Sequence, residues 1–396
     1  MTQPSSSDRL LLNGEEAGTA PEDRKYRPDV EGLRAVAILL VVLFHIGFRQ
    51  WQGGYVGVDV FFVISGFVIT GLLLRERRSS DRTGFLAFYA RRARRILPAA
   101  LLVIVATLIA TAVLLSHDDA VLTASDSRWT ALFLGNFHFA SATPNIAVVR
   151  FAPLQQLWSL AVEEQFYLFY PALFALLLIG RRTLTYRRRL FLGLGVVVLV
   201  SFVLNLVSFK AGETGPYVSP FNRAWEFAAG ALVAVGATQL KKIPRGFASA
   251  ITWAGACCIL FAATTLPLSP PAYDIALPVF GAVLVIAGGT SIPAWGLESV
   301  LRLPPLQWIG RLSYSWYLWH WPFLAIATEY AKTHGRVLSI SDHILLVLGS
   351  LIIAAASYYL VENPVRHSRL LVTSPKATMV GAALLVASCV ALTYAF

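Results

Sequence analysis

The sequence predicts an all-α integral membrane protein. Three observations carry that prediction. Apolar residues make up 56% of the 396 and charged residues only 14%, against about 25% charged in an ordinary soluble domain. Eleven stretches stay apolar across a window of ~19 residues, the length a helix needs to cross a bilayer. The lysines and arginines crowd into alternate connections between those stretches.

In chain order the predicted helices are 31–48, 55–74, 95–115, 157–178, 190–209, 222–239, 248–266, 273–289, 312–329, 342–361 and 377–396. The first holds Arg34 and His45. The second opens after the Gly-rich GGYVGVDV. The third follows an arginine cluster, FYARRARRILP. The fourth carries the acid pair Glu163 and Glu164, and the sixth opens on Arg223 with Glu226 one turn later. The eighth has the weakest signal, with Asp274 near its start and Gly288 and Gly289 at its end. The ninth is an aromatic run around His320, and Pro364 is expected to stop the tenth. The stretch 129–140 is too short to cross and reads as an interfacial or re-entrant helix. Residues 1–25 are polar and read as a disordered cytoplasmic tail, ahead of one membrane domain over 26–370 and an eleventh helix in 371–396.

Orientation follows from the cations. With the N-terminus inside, 25 of the 33 lysines and arginines fall on inner segments, 6 on outer ones, and Arg34 and Arg223 lie within spans. This bias predicts a cytoplasmic N-terminus, eleven crossings and an extracytoplasmic C-terminus, in a cell membrane. It also accounts for the net charge of +11 as topology and attraction to membrane lipid, so nucleic acid is not an expected partner. Cys257, Cys258 and Cys389 lie in apolar runs with no metal-ligand or disulfide spacing, and no metal is expected.

Ionisable residues at membrane depth point to chemistry. Eleven steps of ~100° leave Arg34 and His45 about 20° apart around one helix and roughly 16 Å apart along it. A cation near one face thus lines up with an imidazole near the other. Asp59, Glu163, Glu164, Arg223, Glu226 and His320 all fall in the outer half. Each also has a bland reading. Asp59 reads as a helix cap, and His320 equally as a hydrogen-bonded core residue. Adjacent Glu163 and Glu164 point ~100° apart, so one fits a narrow polar seam and the other is expected to pair with an arginine, Arg223 being the candidate. Glu362 reads as structural and available to an arginine. The inner cluster offers Arg91 with Arg94 and Arg92 with Arg95, each pair three apart on one helical face. Guanidinium forks suit phosphate oxygens, and basic helix ends are equally ordinary topology signals.

These strings together resemble the acyltransferase-3 family of bacterial integral-membrane O-acyltransferases. The matching segments are YRPDVEGLRAVAILLVVLFHIG, GGYVGVDVFFVISGFVIT, FYARRARRILPA, PLQQLWSLAVEEQFYLFYP, RAWEFAAGAL, WIGRLSYSWYLWHWP and SYYLVENPVR, in the family's order over about 26–367. The resemblance implies a bundle of ten transmembrane helices, here plus the eleventh. It implies transfer of an acyl group, usually acetyl, from cytoplasmic acyl-CoA to a hydroxyl of an extracytoplasmic glycan. The family's Arg-x10-His motif falls on Arg34 and His45, its Arg-x-x-Arg motif on the 91–95 cluster, and its ninth-helix motif on Ser313, Tyr314, Tyr317 and His320. Many relatives continue into an extracytoplasmic SGNH-type domain. That domain is absent here, so the resemblance implies either a stand-alone variant or a truncated fused protein.

The residues fit acyl transfer. An alcohol attacking a thioester needs a base, which His45 supplies near neutral pH, acting either as base or as a covalent acyl carrier. Glu163 or Glu164 orients it, and His320 is also among the catalytic candidates. Arg34 or Arg223 stabilises developing negative charge. Arg91, Arg92, Arg94 and Arg95 hold the phosphates of acyl-CoA, the expected donor. Asp59, Arg223, Ser313, Tyr314 and Tyr317 are expected to contact substrate. The acceptor stays open among a glycan, a glycolipid and a small secreted glycoside or macrolide. Two other classes compete: a proton-coupled permease using the same histidines and carboxylates, and an inert membrane anchor.

Overall fold

The computed structural model describes residues 26–79, 84–142, 151–179, 185–208, 213–267, 273–292 and 295–396. The expected N-terminal tail lies outside them. Among the described residues all regular structure is helical. The main helices are α1 (Pro28–Ile46), α2 (Gly57–Ser79), α3 (Phe85–Leu114), α4 (His117–Ala131), α5 (Gly135–Ala142), α6 (Trp158–Leu178) and α7 (Tyr186–Ser208). They continue with α8 (Pro220–Leu240), α9 (Arg245–Thr265), α10 (Ala276–Gly289), α11 (Pro304–Thr333), α12 (Ile340–Ser357) and α13 (Pro375–Leu392).

Each of the eleven expected spans coincides with one of these helices. Seven segments are long and apolar enough to cross a membrane, those of α2, α3, α6, α7, α9, α12 and α13. With so many, the chain is a multi-pass membrane protein. Of the other four, α10 has only 14 residues. The remaining three are α1, α8 and α11, which carry Arg34 and His45, Arg223 and Glu226, and His320 respectively. Their ionisable residues lower the hydropathy of these three helices and mark an internal polar seam. The stretch 129–140 is split between the end of α4 and α5, with Phe133 between them at a φ of 55°.

Helix α2 is the hub, contributing to three apolar clusters. Phe62 packs with α1, α3, α6 and α11; Val60 with α1, α9 and α10; Ile69 and Leu73 with α6, α7 and α8. Its crossing with α8 is close because each helix offers a glycine to the other's backbone. A Cβ on Gly66 would run into the Phe227 carbonyl, and one on Gly230 into that of Val63. Small residues let membrane helices approach in this way.

One expectation is corrected. Pro364 does not stop the tenth span. The helix widens into a π turn at Tyr358–Glu362 and continues through Asn363–His367. The wider turn accommodates the proline ring and its missing N–H. It also leaves Glu362 buried and facing inward.

Candidate active site

A cavity of about 390 Å³ opens between α1, α2, α3, α6, α11 and the π turn. Six arginines line it: Arg27, Arg34, Arg92, Arg95, Arg311 and Arg366. Only three carboxylates face them, Glu31, Glu163 and Glu362. The lining is therefore cationic, which suits a polyanionic ligand.

The arginine cluster divides between two faces. Arg92 and Arg95 line the cavity, with the Arg92 guanidinium 4.3 Å from the centre of the Tyr167 ring. Arg91 pairs with Glu76. Arg94 turns toward α13, donating to the Leu371 carbonyl at 2.7 Å and to Thr378 Oγ1 at 3.5 Å. Steps of 100° force this separation once α3 is packed.

Glu163 is the acid of the pair that faces the cavity, accepting from Ser65 Oγ and, at 2.5 Å, from Tyr167 Oη. Glu164 is outside the lining, with Oε1 buried and without a hydrogen-bond partner. Neither pairs with Arg223. That guanidinium donates to Asp59 Oδ1 and Glu226 Oε1, both at 2.9 Å, and to the Tyr217 carbonyl at 2.8 Å. Asp59 is therefore a partner in a buried ion cluster tying α2 to α8, where a helix cap was expected. Neither Asp59 nor Arg223 lines the cavity. Glu362 accepts from Ser315 Oγ at 2.8 Å, a hydroxyl where an arginine was expected.

Helix α11 presents Arg311, Ser313, Tyr314 and Tyr317 to the site. Ser313 lines the cavity with a buried hydroxyl that lacks a partner. Tyr314 donates to the Ile96 carbonyl at 2.8 Å, fixing α11 against α3 beside Arg95. Tyr317 and Phe61, whose rings are 6.3 Å apart, both line the wall. Tyr317 Oη is held by the Gln156 carbonyl and Ser159 Oγ, both at 2.7 Å. Its ring centre lies 5.6 Å from that of His320. Neither histidine lines the cavity. The space that begins among arginines ends one aromatic side chain short of them.

The two histidines touch. His320 Nε2 is 3.2 Å from His45 Nδ1, and the rings are 5.0 Å apart. His320 Nδ1 also lies 2.8 Å from the Tyr317 carbonyl, and His45 Nδ1 lies 2.9 Å from that of Val41. Trp321 packs on His45 and donates to the Ala152 carbonyl at 3.1 Å, and Gln156 donates to the Leu318 carbonyl at 3.3 Å, so the 151–157 segment is fastened beside the pair. Sequence reasoning missed Ser65 and Tyr167 as partners of Glu163. It counted Arg311 and Arg366 only as topology signals.

A family model described as an acyltransferase domain matches residues 27–362. The chain belongs to the acyltransferase-3 family. It is 32% identical over 367 residues to the peptidoglycan O-acetyltransferase OatA of Listeria monocytogenes (strain EGD-e), across 88% of this chain and 57% of that protein. It is 30% identical over 363 residues to YrhL of Bacillus subtilis (strain 168), whose name assigns the same activity provisionally, across 87% of this chain and 56% of that one. It is 28% identical over 375 residues to a protein of Staphylococcus aureus (strain MSSA476) named provisionally as an O-acetyltransferase, across 90% and 60%. The chain thus spans rather more than half the length of these relatives. No solved structure matches it.

Proposed function

We propose that the chain is a membrane O-acetyltransferase, moving an acetyl group from cytoplasmic acetyl-CoA to a hydroxyl of an extracytoplasmic glycan. The observation that carries this reading is the shape of the site: an arginine-lined cavity that ends at Tyr317, one aromatic side chain short of a histidine pair. A guanidinium group binds phosphate oxygens bidentately, and Arg92, Arg95, Arg311 and Arg366 supply several such forks for CoA. Bound this way, CoA aims its thioester arm toward Ser313, Phe61 and Tyr317. The names of the relatives favour peptidoglycan as the acceptor.

The hydrogen bonds support His45 Nε2 as the base atom. A carbonyl at 2.8 Å requires His320 Nδ1 to carry its proton, which makes His320 Nε2 an acceptor. His45 Nδ1 must then be protonated, donating between the Val41 carbonyl and His320. The lone pair of His45 is left on Nε2. In the reaction that nitrogen takes the acceptor's hydroxyl proton as the oxygen attacks the thioester carbonyl. The C–O bond forms, the C–S bond breaks, and CoA leaves as the thiolate. Arg34, on the same face of α1 and in the cavity wall, offsets negative charge on the donor side.

A second reading, with His45 as a covalent carrier, is favoured by the gap between the cavity and the histidines. There His45 Nε2 attacks the thioester carbonyl, the C–S bond breaks with CoA leaving as the thiolate, and the acceptor hydroxyl then takes the acetyl group from the imidazole.

The full chain in nanodiscs, given radiolabelled acetyl-CoA and a muropeptide or oligosaccharide acceptor, tests the proposal. Free CoA should appear together with labelled acceptor, and both should vanish in His45→Ala at unchanged protein yield. Passage of a solute with no covalent change would instead make the chain a permease.

A further inference from the structure

A second cavity, of about 640 Å³, lies between α3 and α13 and shares no lining residue with the first. Its walls are aliphatic, with Leu97, Leu101 and Val105 facing Ala382, Leu385 and Cys389. It follows α13 from Thr378 to Leu392, about 21 Å at 1.5 Å per residue. One leaflet of hydrocarbon is roughly 15 Å deep. Helix α13 is the least enclosed of the seven apolar spans, with 11% of its residues buried. The slot therefore borders the bilayer.

One end of the slot is charged. Arg94 is only 8% exposed. Its Nη1 spends its hydrogen bonds on two neutral oxygens, Leu371 O and Thr378 Oγ1, while Nε is buried without a partner. Among the described residues no carboxylate forms an ion pair with it. A buried guanidinium left without a counter-charge is costly, and nothing in the first cavity uses this one. An apolar slot long enough to take an acyl chain, with a single uncompensated cation at one end, is complementary to one kind of neighbour.

We propose that the slot binds an anionic phospholipid, its phosphate held by Arg94 and one acyl chain lying along α13. A guanidinium fork fits a phosphodiester. A neutral aliphatic chain would leave Arg94 unpaired. With the N-terminus cytoplasmic, the headgroup belongs to the inner leaflet, where anionic lipid is attracted to basic protein. Only that leaflet assignment rests on the orientation proposed above; the binding itself does not.

Native mass spectrometry of the detergent-solubilised full chain, titrated with phosphatidylglycerol or phosphatidylcholine, reads the site directly. Phosphatidylglycerol should be retained at least tenfold more than phosphatidylcholine, and Arg94→Gln should abolish that preference. Gly381→Leu should also lower retention tenfold by filling the slot. A Cβ at Gly381 meets nothing within 4 Å, so this variant decides the matter even where Arg94→Gln folds poorly. Equal retention of the two lipids, or phosphatidylglycerol retention untouched by Gly381→Leu, overturns the proposal. Because the readout is lipid mass, failure of acetyl transfer would leave it intact.

Discussion

His320 and His45, 275 residues apart in sequence, meet through Nε2 and Nδ1 at 3.2 Å. On the proposed mechanism this contact makes His320 a positioning residue for His45. Glutamine at 320 still offers an amide oxygen to His45 Nδ1–H; leucine offers nothing. His320→Leu should lower kcat about 10²-fold, the low end of what a general base contributes, with KM for acetyl-CoA unchanged. His320→Gln should recover a measurable part of that loss. A purely structural role predicts the same loss from both substitutions, or loss of folded protein.

The two faces of the arginine cluster should separate in binding. Arg92→Ala or Arg95→Ala removes a charge-assisted bond worth about 1.5–3 kcal/mol, so KM for acetyl-CoA should rise roughly ten- to hundredfold. Arg91→Ala touches the Glu76 pair outside the cavity and should leave that KM within about twofold. Steady-state kinetics with the donor varied at fixed acceptor checks both.

Much of the frame was legible because lipid imposes it. A run of apolar residues must be a helix where no water can satisfy the backbone, and the eleven expected spans coincide with helices. The alignment of Arg34 with His45 was equally legible, being a property of one helix. Contacts between helices were not. Arg91, Arg92, Arg94 and Arg95 offer two equivalent i, i+3 pairs, and only the packing of α3 against α6 and α13 separates them. Arg223 had carboxylates in three helices to choose from, and the Gly66–Gly230 crossing brought Asp59. The π turn at Tyr358–Glu362 has no signal beyond Pro364 itself.

The Arg223 cluster should behave as structure. Removing the cation leaves Asp59 and Glu226 buried together, a loss on the order of 3–5 kcal/mol. Arg223→Ala should lower the thermal midpoint of the detergent-solubilised protein sharply and reduce its yield. For whatever folds, KM for acetyl-CoA should be unchanged. A shifted donor KM at unchanged stability would instead make Arg223 a substrate contact.

Glu298, in the short helix Glu298–Leu301, is buried. Burial first, then the charge of Asp29, raises its pKa above the ordinary carboxylate value. The folded state thus holds this proton more tightly than the unfolded chain does. The resulting stability is complete below the unfolded pKa and is lost as pH rises through the folded one. Glu298→Gln mimics the protonated form. It should raise the melting temperature at pH 8 and leave it nearly unchanged at pH 4, as scanning fluorimetry across that range would show.

Tyr317 lines the arginine-rich cavity with its ring 5.6 Å from that of His320, and Phe61 packs beside it in the same wall, so on the proposed mechanism the acetyl group crosses this pair. Tyr317 is clamped by Gln156 and Ser159, whereas Phe61 is held only by packing, so Phe61 is the side chain free to yield. Truncating it opens the donor cavity toward His45, where water can take the acceptor's place. Phe61→Ala should therefore raise acceptor-independent release of CoA several-fold, while transfer to glycan falls. Phe61→Trp, too bulky to swing aside in a close-packed wall, should slow both without changing KM for the donor. Quench-flow measurement of CoA release with and without acceptor separates the two outcomes. If neither variant changes the ratio of hydrolysis to transfer, the acetyl group takes a path that avoids this pair.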